Sequence, residues 1–296
     1  MQAKYEKKLL HKKVQCTLCP HMCEILTNKS GACYVRRNES GTLTLSTFGQ
    51  IIDAQIRDVE QIPLVHFSPG LKVFTIVLAG DTFRCQPLSN LKTQKFTAHS
   101  LVKKAIDSHA EAIAFTGDAP ITNFEFILEI ATLAKKSDLK VILTTNGYIN
   151  PGPLAEIMPL LDAVHLTIAY FSAEKMLNNC RALLDPILRT AIIMKKKKGL
   201  HLEVSYADNA DLSEFFNWAL SNLSEKTPIH LLSENLPEFS TSLPFVYTKL
   251  EQNTYCPSCH KLIIQRQSGV LLAKEFKNNK CKCRKTISGF FLHQDL

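Results

Sequence analysis

VFTIVLAGDTFRCQPLSN, the stretch from Val73 to Asn90, joins an apolar run of strand length to a loop that begins with glycine. The apolar run has no helical spacing, which favours a buried strand. In a sheet of parallel strands, ligands bind at the loops that follow the carboxyl ends of the strands. The stretch therefore predicts a strand that delivers the loop from Gly80 to Asn90 to a functional pocket.

Further apolar runs follow this stretch and alternate with segments of helical spacing. The predicted strands are Val73 to Ala79, Ala112 to Thr116, Val141 to Thr145, Ala163 to Ile168, Leu202 to Tyr206 and Ile229 to Leu232. The predicted helices are 98–109, Asn123 to Lys136, 152–160, Ala182 to Lys198 and 211–223. Such alternation predicts an α/β fold with a parallel sheet, and six units favour a partial, open (β/α) barrel over a closed eight-fold one.

The composition is that of a globular chain. Its 296 residues with 45% hydrophobic content suffice for a sizeable core. The segment from Met1 to Val14 is rich in lysine without the apolar region of a signal peptide, and no apolar run approaches the roughly 20 residues that cross a bilayer. We therefore expect a cytoplasmic protein without a membrane partner, whose closely paired cysteines are thiolates held by metal rather than disulfides.

The net charge of +8 comes from lysines in three places, 4–13, 195–198 and 274–285. Lysines 195–198 precede Gly199, where cations stabilise the end of a helix and remain solvated. No recognition module of aromatic and basic residues accompanies the charge. The sequence therefore does not predict nucleic acid as a partner, and a protein that binds RNA or DNA through a basic tail is an alternative.

Four cysteines lie close together near the start of the chain, at Cys16, Cys19, Cys23 and Cys33. Four thiolates suit a tetrahedral zinc ion or a fully protein-ligated iron-sulfur cluster. We expect zinc, with an iron-sulfur cluster or unmetallated core cysteines as alternatives. His21 lies inside the motif and is interpreted as a local hydrogen-bonding residue, because four cysteines already fill a tetrahedron.

A second group of four cysteines, Cys256, Cys259, Cys281 and Cys283, flanks two strand-like runs, Leu262 to Arg266 and Val270 to Ala273. Two thiolate pairs joined by a β-hairpin predict a zinc ribbon, in which the metal supplies folding free energy that so short a segment lacks. The spacing Cys281-x-Cys283 is one residue tighter than usual, so His260 is a possible substitute ligand.

Three turns follow successive predicted strands and could line one pocket, at Gly80 to Asn90, Thr116 to Pro120 and Thr144 to Tyr148. Ordinary βα turns are the alternative interpretation. Two isolated cysteines, Cys85 and Cys180, have no neighbouring histidine in sequence, and each is expected to be a small buried apolar residue.

Several motifs together resemble those of the AmmeMemoRadiSam-system radical S-adenosylmethionine proteins, relatives of the pyruvate-formate-lyase activating enzymes. The motifs are Cys16 to Cys23, Gly31 to Arg36, Pro63 to Gly70, Thr145 to Tyr148 and Tyr255 to Cys259. The match runs from about Lys4 to Gly289. The resemblance implies a radical S-adenosylmethionine barrel, a [4Fe-4S] cluster held by CxxxCxxC, reductive cleavage of S-adenosylmethionine, and association with Memo-type and AMMECR-type proteins.

The chain departs from that family pattern at the cluster loop. The three ligand positions read Asp81, Cys85 and Leu88. Leucine has no lone pair, so cluster assembly should fail. The resemblance places a vestigial S-adenosylmethionine pocket at Gly117, Asp118, Ala119, Pro120 and Asn146, where a family Glu-Pro element reads Ala119-Pro120.

These observations predict a four-cysteine subdomain over 1–70, a partial barrel over 71–232 and a zinc-ribbon region over 233–296. We expect a catalytically inactive metal-binding scaffold or interaction protein without a catalytic residue. One alternative is a working radical S-adenosylmethionine enzyme, with its cluster on Asp81, Cys85 and a ligand from elsewhere, or on the cysteines from Cys16 to Cys33. The other is a zinc-ribbon protein that binds nucleic acid.

Overall fold

The computed structural model describes residues 1–83, 92–248, 252–267, 269–277, 279–287 and 289. Its strands are β1 Glu6–Lys8, β2 Val14–Cys16, β3 Glu24–Ile25, β4 Arg36–Glu39, β5 Thr42–Leu45, β6 Gln50–Ile51, β7 Asp53–Asp58, β8 Lys72–Val77, β9 Gln94–Lys95, β10 Ala112–Thr116, β11 Lys140–Thr145, β12 Ala163–Ile168, β13 His201–Tyr206, β14 Ile229–Leu231, β15 Val246–Thr248, β16 Thr254–Tyr255, β17 Leu262–Gln267, β18 Val270–Lys274, β19 Phe276–Lys277 and β20 Lys280–Cys281. Its α-helices are α1 Ala98–Asp107, α2 Phe124–Lys136, α3 Pro151–Ile157, α4 Ala173–Lys175, α5 Leu184–Lys196 and α6 Leu212–Asn222.

Eight of these strands form the central sheet, in the order β15-β14-β13-β12-β11-β10-β8-β7. Within this sheet, β8 and the strands from β10 to β15 pair in parallel, whereas β7 pairs antiparallel with β8. The mixed α/β fold with a central parallel sheet is confirmed. The prediction of six strands was too low, because β7 is a polar edge strand and β15 has only three residues.

The two faces of the sheet pack against different apolar groups. Ile113 and Phe115 of β10 belong to the large core under the helices, whereas Ala112 and Ala114 face a smaller cluster around Phe67. This alternation follows from the two-residue period of a strand. Fully burying one large aliphatic or aromatic side chain stabilises a fold by about 1.5–3 kcal/mol, so the larger cluster dominates the stability.

Helix boundaries follow local capping. The hydroxyl of Thr97 accepts a hydrogen bond from Ser100 N, and Ser100 Oγ accepts one from Thr97 N, both at 3.1 Å, so α1 begins with a capping box. The short α4 runs directly into a π-helical turn, Met176–Cys180, which the sequence did not predict. Among the described residues, no helix combines the length and apolar character that crossing a bilayer requires.

The amino-terminal strands share the large core with the helices. Val14, Leu18 and Ile25 belong to the same buried cluster as Phe124 of α2. Beside them, Arg36 makes a two-pronged ion pair with Glu125, with both nitrogen-to-oxygen distances at 3.0 Å. Both side chains are almost completely buried. The amino-terminal segment is therefore docked on α2 by apolar packing and by one buried charge pair.

The carboxyl-terminal unit, residues 252–289, has a small core of its own. Strands β16, β17 and β18 form an antiparallel sheet, and β19 pairs with β20. Ile263, Ile264 and Ile287 are its buried aliphatic residues, together with two cysteines. Arg266 joins the unit to the rest of the chain by donating a hydrogen bond to Val65 O, and it donates another to Thr254 Oγ1 within the unit.

Candidate functional site

The four carboxyl-terminal cysteines come together in the structure. The sulfur atoms of Cys256, Cys259, Cys281 and Cys283 all lie within 4.8 Å of one another, and two pairs are 3.6 Å apart. The turn after β16 supplies Cys256 and Cys259, while β20 and the residues after it supply the other two. This donor set fits a metal ion with tetrahedral thiolate coordination, such as zinc. Both residues of the tight Cys281-x-Cys283 pair reach the group, so the geometry needs no ligand from His260.

The acidities of these thiols differ. Burial opposes ionisation of Cys256, but the backbone amides of Cys259 and Ser258 stabilise its thiolate and lower its pKa to about 7. The backbone amide of Lys261 lowers the pKa of Cys259, but burial and the three neighbouring thiols outweigh it and raise that pKa to about 12. A bound cation would remove this competition between neighbouring thiols by holding all four as thiolates.

The amino-terminal cysteines have a different geometry. Cys16 and Cys33 are buried, whereas Cys19 and Cys23 are half-buried. Within the described part of the chain, only the carboxyl-terminal cysteines form a group of three or more potential ligand atoms at metal-binding distance. Cys23 Sγ instead accepts a hydrogen bond from Ala32 N at 3.5 Å. A metal at these cysteines stays a prediction.

Burial controls the chemistry of the amino-terminal thiols. It raises the pKa of Cys16 and of Cys19, and it raises the pKa of Cys33 to about 11. The charge of Arg36 partly opposes this effect at Cys16 and Cys33. At neutral pH, the uncoordinated thiols of Cys16, Cys19 and Cys33 are therefore protonated. All nine cysteines in the described residues are free thiols, and Cys180 is buried as the sequence predicts.

A pocket of 570 Å³ lies at the carboxyl ends of the parallel strands. Its lining includes residues from the loop after β8 and from the ends of β10, β11 and β12, namely Asp81, Phe83, Thr116, Gly117, Asp118, Thr144, Thr145, Asn146 and Thr167. Burial and the charge of Asp81 raise the pKa of Asp118. The two carboxylates are therefore close enough to interact at the pocket mouth.

Local hydrogen bonds hold the loop after β8. Asp81 Oδ1 accepts a hydrogen bond from Phe83 N at 2.8 Å, and Asn146 Nδ2 donates one to Thr82 Oγ1 at 2.8 Å. Gly80 has φ of +106°, and a Cβ there would collide with the hydroxyl of Thr122. His21 Nε2 lies 2.5 Å from Thr82 O, so this histidine contacts the loop after β8, whereas a contact with a residue near it in sequence was predicted.

The predicted pocket residues divide into two sets. Gly117, Asp118 and Asn146 line the pocket, together with Asp81. Ala119 and Pro120 are buried at the start of the turn that leads into α2, and they are not part of the lining. Cys85 and Leu88 lie outside the described residues.

The sequence analysis missed a buried network of histidines around Glu203. Its carboxylate accepts hydrogen bonds from His201 Nε2 at 2.8 Å and His230 Nε2 at 2.7 Å. It also accepts them from the backbone amides of Val65 and His66, at 2.9 and 2.7 Å. These hydrogen bonds tie β13 and β14 to the segment before β8. A charged residue in the middle of an apolar strand, as in HLEVSY, is the sequence signal that could have revealed the network.

Hydrogen bonds within the network keep the carboxylate of Glu203 ionised. Burial opposes ionisation of Glu203, but the hydrogen bonds from His201 and His230 outweigh it and hold the pKa well below its usual value. His165 lies beside the network, with Nε2 2.5 Å from Ser205 Oγ. Burial and the neighbouring His230 lower its pKa to about 3, so His165 is neutral at physiological pH.

No family model matches this chain. The uncharacterized protein MJ0808 of Methanocaldococcus jannaschii is 27% identical over 326 residues, an alignment that covers 95% of this chain and 96% of the relative.

Solved structures align with parts of the chain. SuiB of Streptococcus suis bound to S-adenosylmethionine gives a TM-score of 0.40 at 12% identity, covering 53% of this chain and 38% of SuiB. TYW1 with a lysine-pyruvate adduct gives a TM-score of 0.39 at 12% identity, covering 58% of this chain and 67% of TYW1. QueE from Escherichia coli gives a TM-score of 0.36 at 11% identity, covering 62% of this chain and 82% of QueE. This chain thus spans well under half the length of SuiB.

Proposed function

We propose that this chain is a degenerate radical S-adenosylmethionine-type protein that acts as a metal-stabilised scaffold rather than as an enzyme. The observation that carries the proposal is the 570 Å³ pocket at the carboxyl ends of the parallel strands, whose mouth presents the carboxylate of Asp81. In the family that the sequence resembles, a cysteine would occupy that position. The site has kept its place in the sheet while its metal-binding chemistry has changed.

The residues at the three ligand positions do not fit a [4Fe-4S] cluster. Leu88 offers no lone pair, and Cys85 is the one thiol of the three. Asp81 Oδ1 already accepts the hydrogen bond from Phe83 N, so one of its carboxylate oxygens is used within the loop. Three thiolates are the usual anchor for a cluster that leaves one iron open. We therefore assign no reaction to this loop.

One polar residue of the pocket, Asn146, is also committed to local structure. Asn146 uses Nδ2 on Thr82 and accepts a hydrogen bond from Tyr148 N at 3.1 Å through Oδ1. Ala119 presents no polar side-chain atom, and it is fully buried. Ala119 therefore lacks the polar contact that the family's Glu-Pro element would give the amino acid part of S-adenosylmethionine, so its binding should be weak.

The carboxyl-terminal cysteines fit a structural zinc ion. Four thiolates complete a tetrahedron and leave no open coordination position, which is typical of structural rather than catalytic sites. The unit has only three buried isoleucines and two buried cysteines as its core. A metal held by Cys256, Cys259, Cys281 and Cys283 would supply the missing folding free energy.

Three further elements belong to the same proposal and rest on the sequence alone. They are the cytoplasmic location, Memo-type and AMMECR-type partner proteins, and a second metal at Cys16, Cys19, Cys23 and Cys33. Affinity purification of the tagged chain with such partners tests the second element. A purified chain that retains neither type of partner would remove it from the proposal.

Cleavage of S-adenosylmethionine tests the loss of catalysis. After anaerobic reconstitution with iron and sulfide and addition of a strong reductant, we expect no more 5'-deoxyadenosine than in a control without protein. Titration calorimetry should give a Kd for S-adenosylmethionine above roughly 100 μM. Cleavage above the control would show that the chain is an enzyme, and a low-micromolar Kd would contradict the argument about the pocket.

A double variant provides the matched control. Asp81→Cys with Leu88→Cys recreates CxxxCxxC, so reconstitution should yield the broad absorption near ~400 nm of thiolate-bound iron-sulfur. Cleavage should stay low, because Ala119 is unchanged. If the double variant folds but takes up no more iron than the parent, the assignment of Asp81, Cys85 and Leu88 to the former ligand positions is wrong.

A further inference from the structure

Most of the net positive charge of this protein lies in the carboxyl-terminal unit. Residues 252–289 contain eight lysines and arginines but only one acidic residue, Glu275, in a chain whose net charge is +8. Four thiolates around a divalent cation would carry two negative charges and would leave the unit strongly basic. The rest of the chain is close to neutral, so a polyanion would be attracted to this unit in particular.

Five of these cations line one cleft of 400 Å³ on the surface of the unit. They are Lys274, Lys277, Lys280, Lys282 and Arg284. All five are exposed to solvent. Strands β19 and β20 place Lys277 directly opposite Lys280, so two ammonium groups flank the same point of the hairpin. The fold thus concentrates like charges that repel one another, an arrangement that a bound anion would stabilise.

The remaining lining of the cleft is consistent with a nucleic acid ligand. Glu275 is its only carboxylate among the described residues, and it pairs with Lys282 at 3.0 Å, which leaves an excess of cations. Phe276 of β19 contributes an aromatic ring between the basic residues. Proteins that bind single strands combine a positive groove with aromatic side chains on which bases stack.

We infer that this cleft binds single-stranded nucleic acid, with the lysines and Arg284 contacting phosphates and Phe276 contacting a base. The cleft is small, with a volume of 400 Å³, which suits an unpaired strand better than the broad surface of a duplex. This inference goes beyond the scaffold function proposed above, and it revises the expectation that nucleic acid is not a partner. The recognition module that the sequence lacked is formed by the β-hairpins of the cysteine unit.

Fluorescence anisotropy with the metal-loaded full chain tests the inference. The probe is a labelled oligouridine of about 12 nucleotides, titrated between about 50 and about 200 mM salt. With three to five phosphate contacts, the logarithm of the binding constant should fall against the logarithm of salt concentration with a slope of about −2 to −3.5.

Charge-matched variants locate the binding surface. Lys277→Gln with Lys280→Gln removes two cations from the cleft, and should weaken binding about tenfold near ~100 mM salt and make the slope shallower by about 1.4. Lys197→Gln with Lys198→Gln removes the same charge from the exposed end of α5, and should change the Kd less than about twofold. Equal losses in the two variants would overturn the assignment to the cleft. Unchanged metal content shows that each variant keeps its fold.

Three further measurements decide the kind of ligand. Phe276→Leu should weaken oligouridine binding about fivefold or more without changing the salt slope, because a stacking contact is lost and no charge is removed. An unchanged Kd would contradict the role of the ring. Duplex RNA that binds as tightly as the single strand would overturn the preference for single strands. A polyglutamate peptide that binds through Lys277 and Lys280 while oligouridine does not would assign the cleft to an acidic protein.

Discussion

The two groups of four cysteines, at opposite ends of the chain, have the same ligands and different geometry. In the carboxyl-terminal group, all four sulfur atoms lie within 4.8 Å of one another. In the amino-terminal group, Cys16 and Cys33 are buried in the large apolar core, beside the ion pair of Arg36 and Glu125. The groups therefore differ in what stabilises the structure around them.

The difference shows that cysteine spacing alone does not determine the donor geometry. The carboxyl-terminal pairs sit on short β-hairpins, which point both pairs at one position. The amino-terminal segment instead has a large core to pack against, which includes Val14, Leu18 and Ile25. A segment that can bury its cysteines among apolar residues has less need of a metal than a unit with only three buried isoleucines.

The largest expected effect follows from removing one ligand from the carboxyl-terminal group. Cys256→Ser should abolish metal binding there and unfold residues 252–289, because the apparent binding free energy of structural zinc is about 10–16 kcal/mol. Limited proteolysis should cut this unit while the central sheet survives. Cys16→Ser is the matched variant, and it should leave the carboxyl-terminal metal in place. A protected tail after Cys256→Ser would contradict the comparison.

The next effect concerns the charge pair that anchors the amino-terminal group. Arg36→Met should reduce the free energy of unfolding by about 3–5 kcal/mol, because it leaves the carboxylate of Glu125 buried without its partner. Urea denaturation measures the loss. Arg36→Met with Glu125→Leu should recover most of the stability, since neither charge is then buried alone. A single variant that loses less than about 1 kcal/mol would show that this pair does not hold the segment.

Acidification provides a third contrast, because the central sheet depends on buried histidines rather than on metal. Burial lowers the pKa of His165 to about 3 in the folded chain from 6.5 ordinarily; the neighbouring His230 also lowers it, and Glu203 opposes the shift. Unfolded His165 takes up a proton that the folded form excludes, so the free energy of unfolding should fall below about pH 6.5, by at most about 1.4 kcal/mol per pH unit for this group. Urea denaturation of His165→Asn should show a shallower fall between about pH 6.5 and about pH 4. Parallel curves for the variant and the parent would contradict this account.

The smallest expected effect distinguishes a packing role of Cys33 in the core from a role as a metal ligand. If Cys33 only fills space in the core, Cys33→Ala should cost about 1 kcal/mol and leave the metal content unchanged. A loss of one metal ion per chain together with a much larger destabilisation would show that the amino-terminal cysteines bind a metal, as the sequence predicts.

The strands of the sheet were predictable wherever burial on both faces produced an unbroken apolar run. Ala112–Thr116 and Ala163–Ile168 have the predicted bounds. Strand β7, with the sequence DAQIRD, was not predictable in this way, because an edge strand keeps polar residues exposed. Strand β15 joins the sheet through three residues, too few for a periodic pattern.

The candidate sites were predictable only in part, because several depend on contacts between distant residues. The pairing of Glu203 with His201 and His230 requires two strands to be adjacent, and the sequence pattern shows each strand separately. The basic cleft needs the hairpin of β19 and β20 to bring its lysines together. By contrast, the short separations within the carboxyl-terminal cysteine pairs leave little freedom, so their grouping was predictable.

Metal and sulfide analysis of protein prepared without oxygen tests the central claim most directly. We expect at least one tightly bound zinc ion per chain, one of which is lost in Cys256→Ser, with iron and acid-labile sulfide no higher than in a control preparation. Two zinc ions would add a metal at Cys16, Cys19, Cys23 and Cys33 and would leave the claim intact. About four iron and four sulfide ions per chain, with reductive cleavage of S-adenosylmethionine, would contradict it.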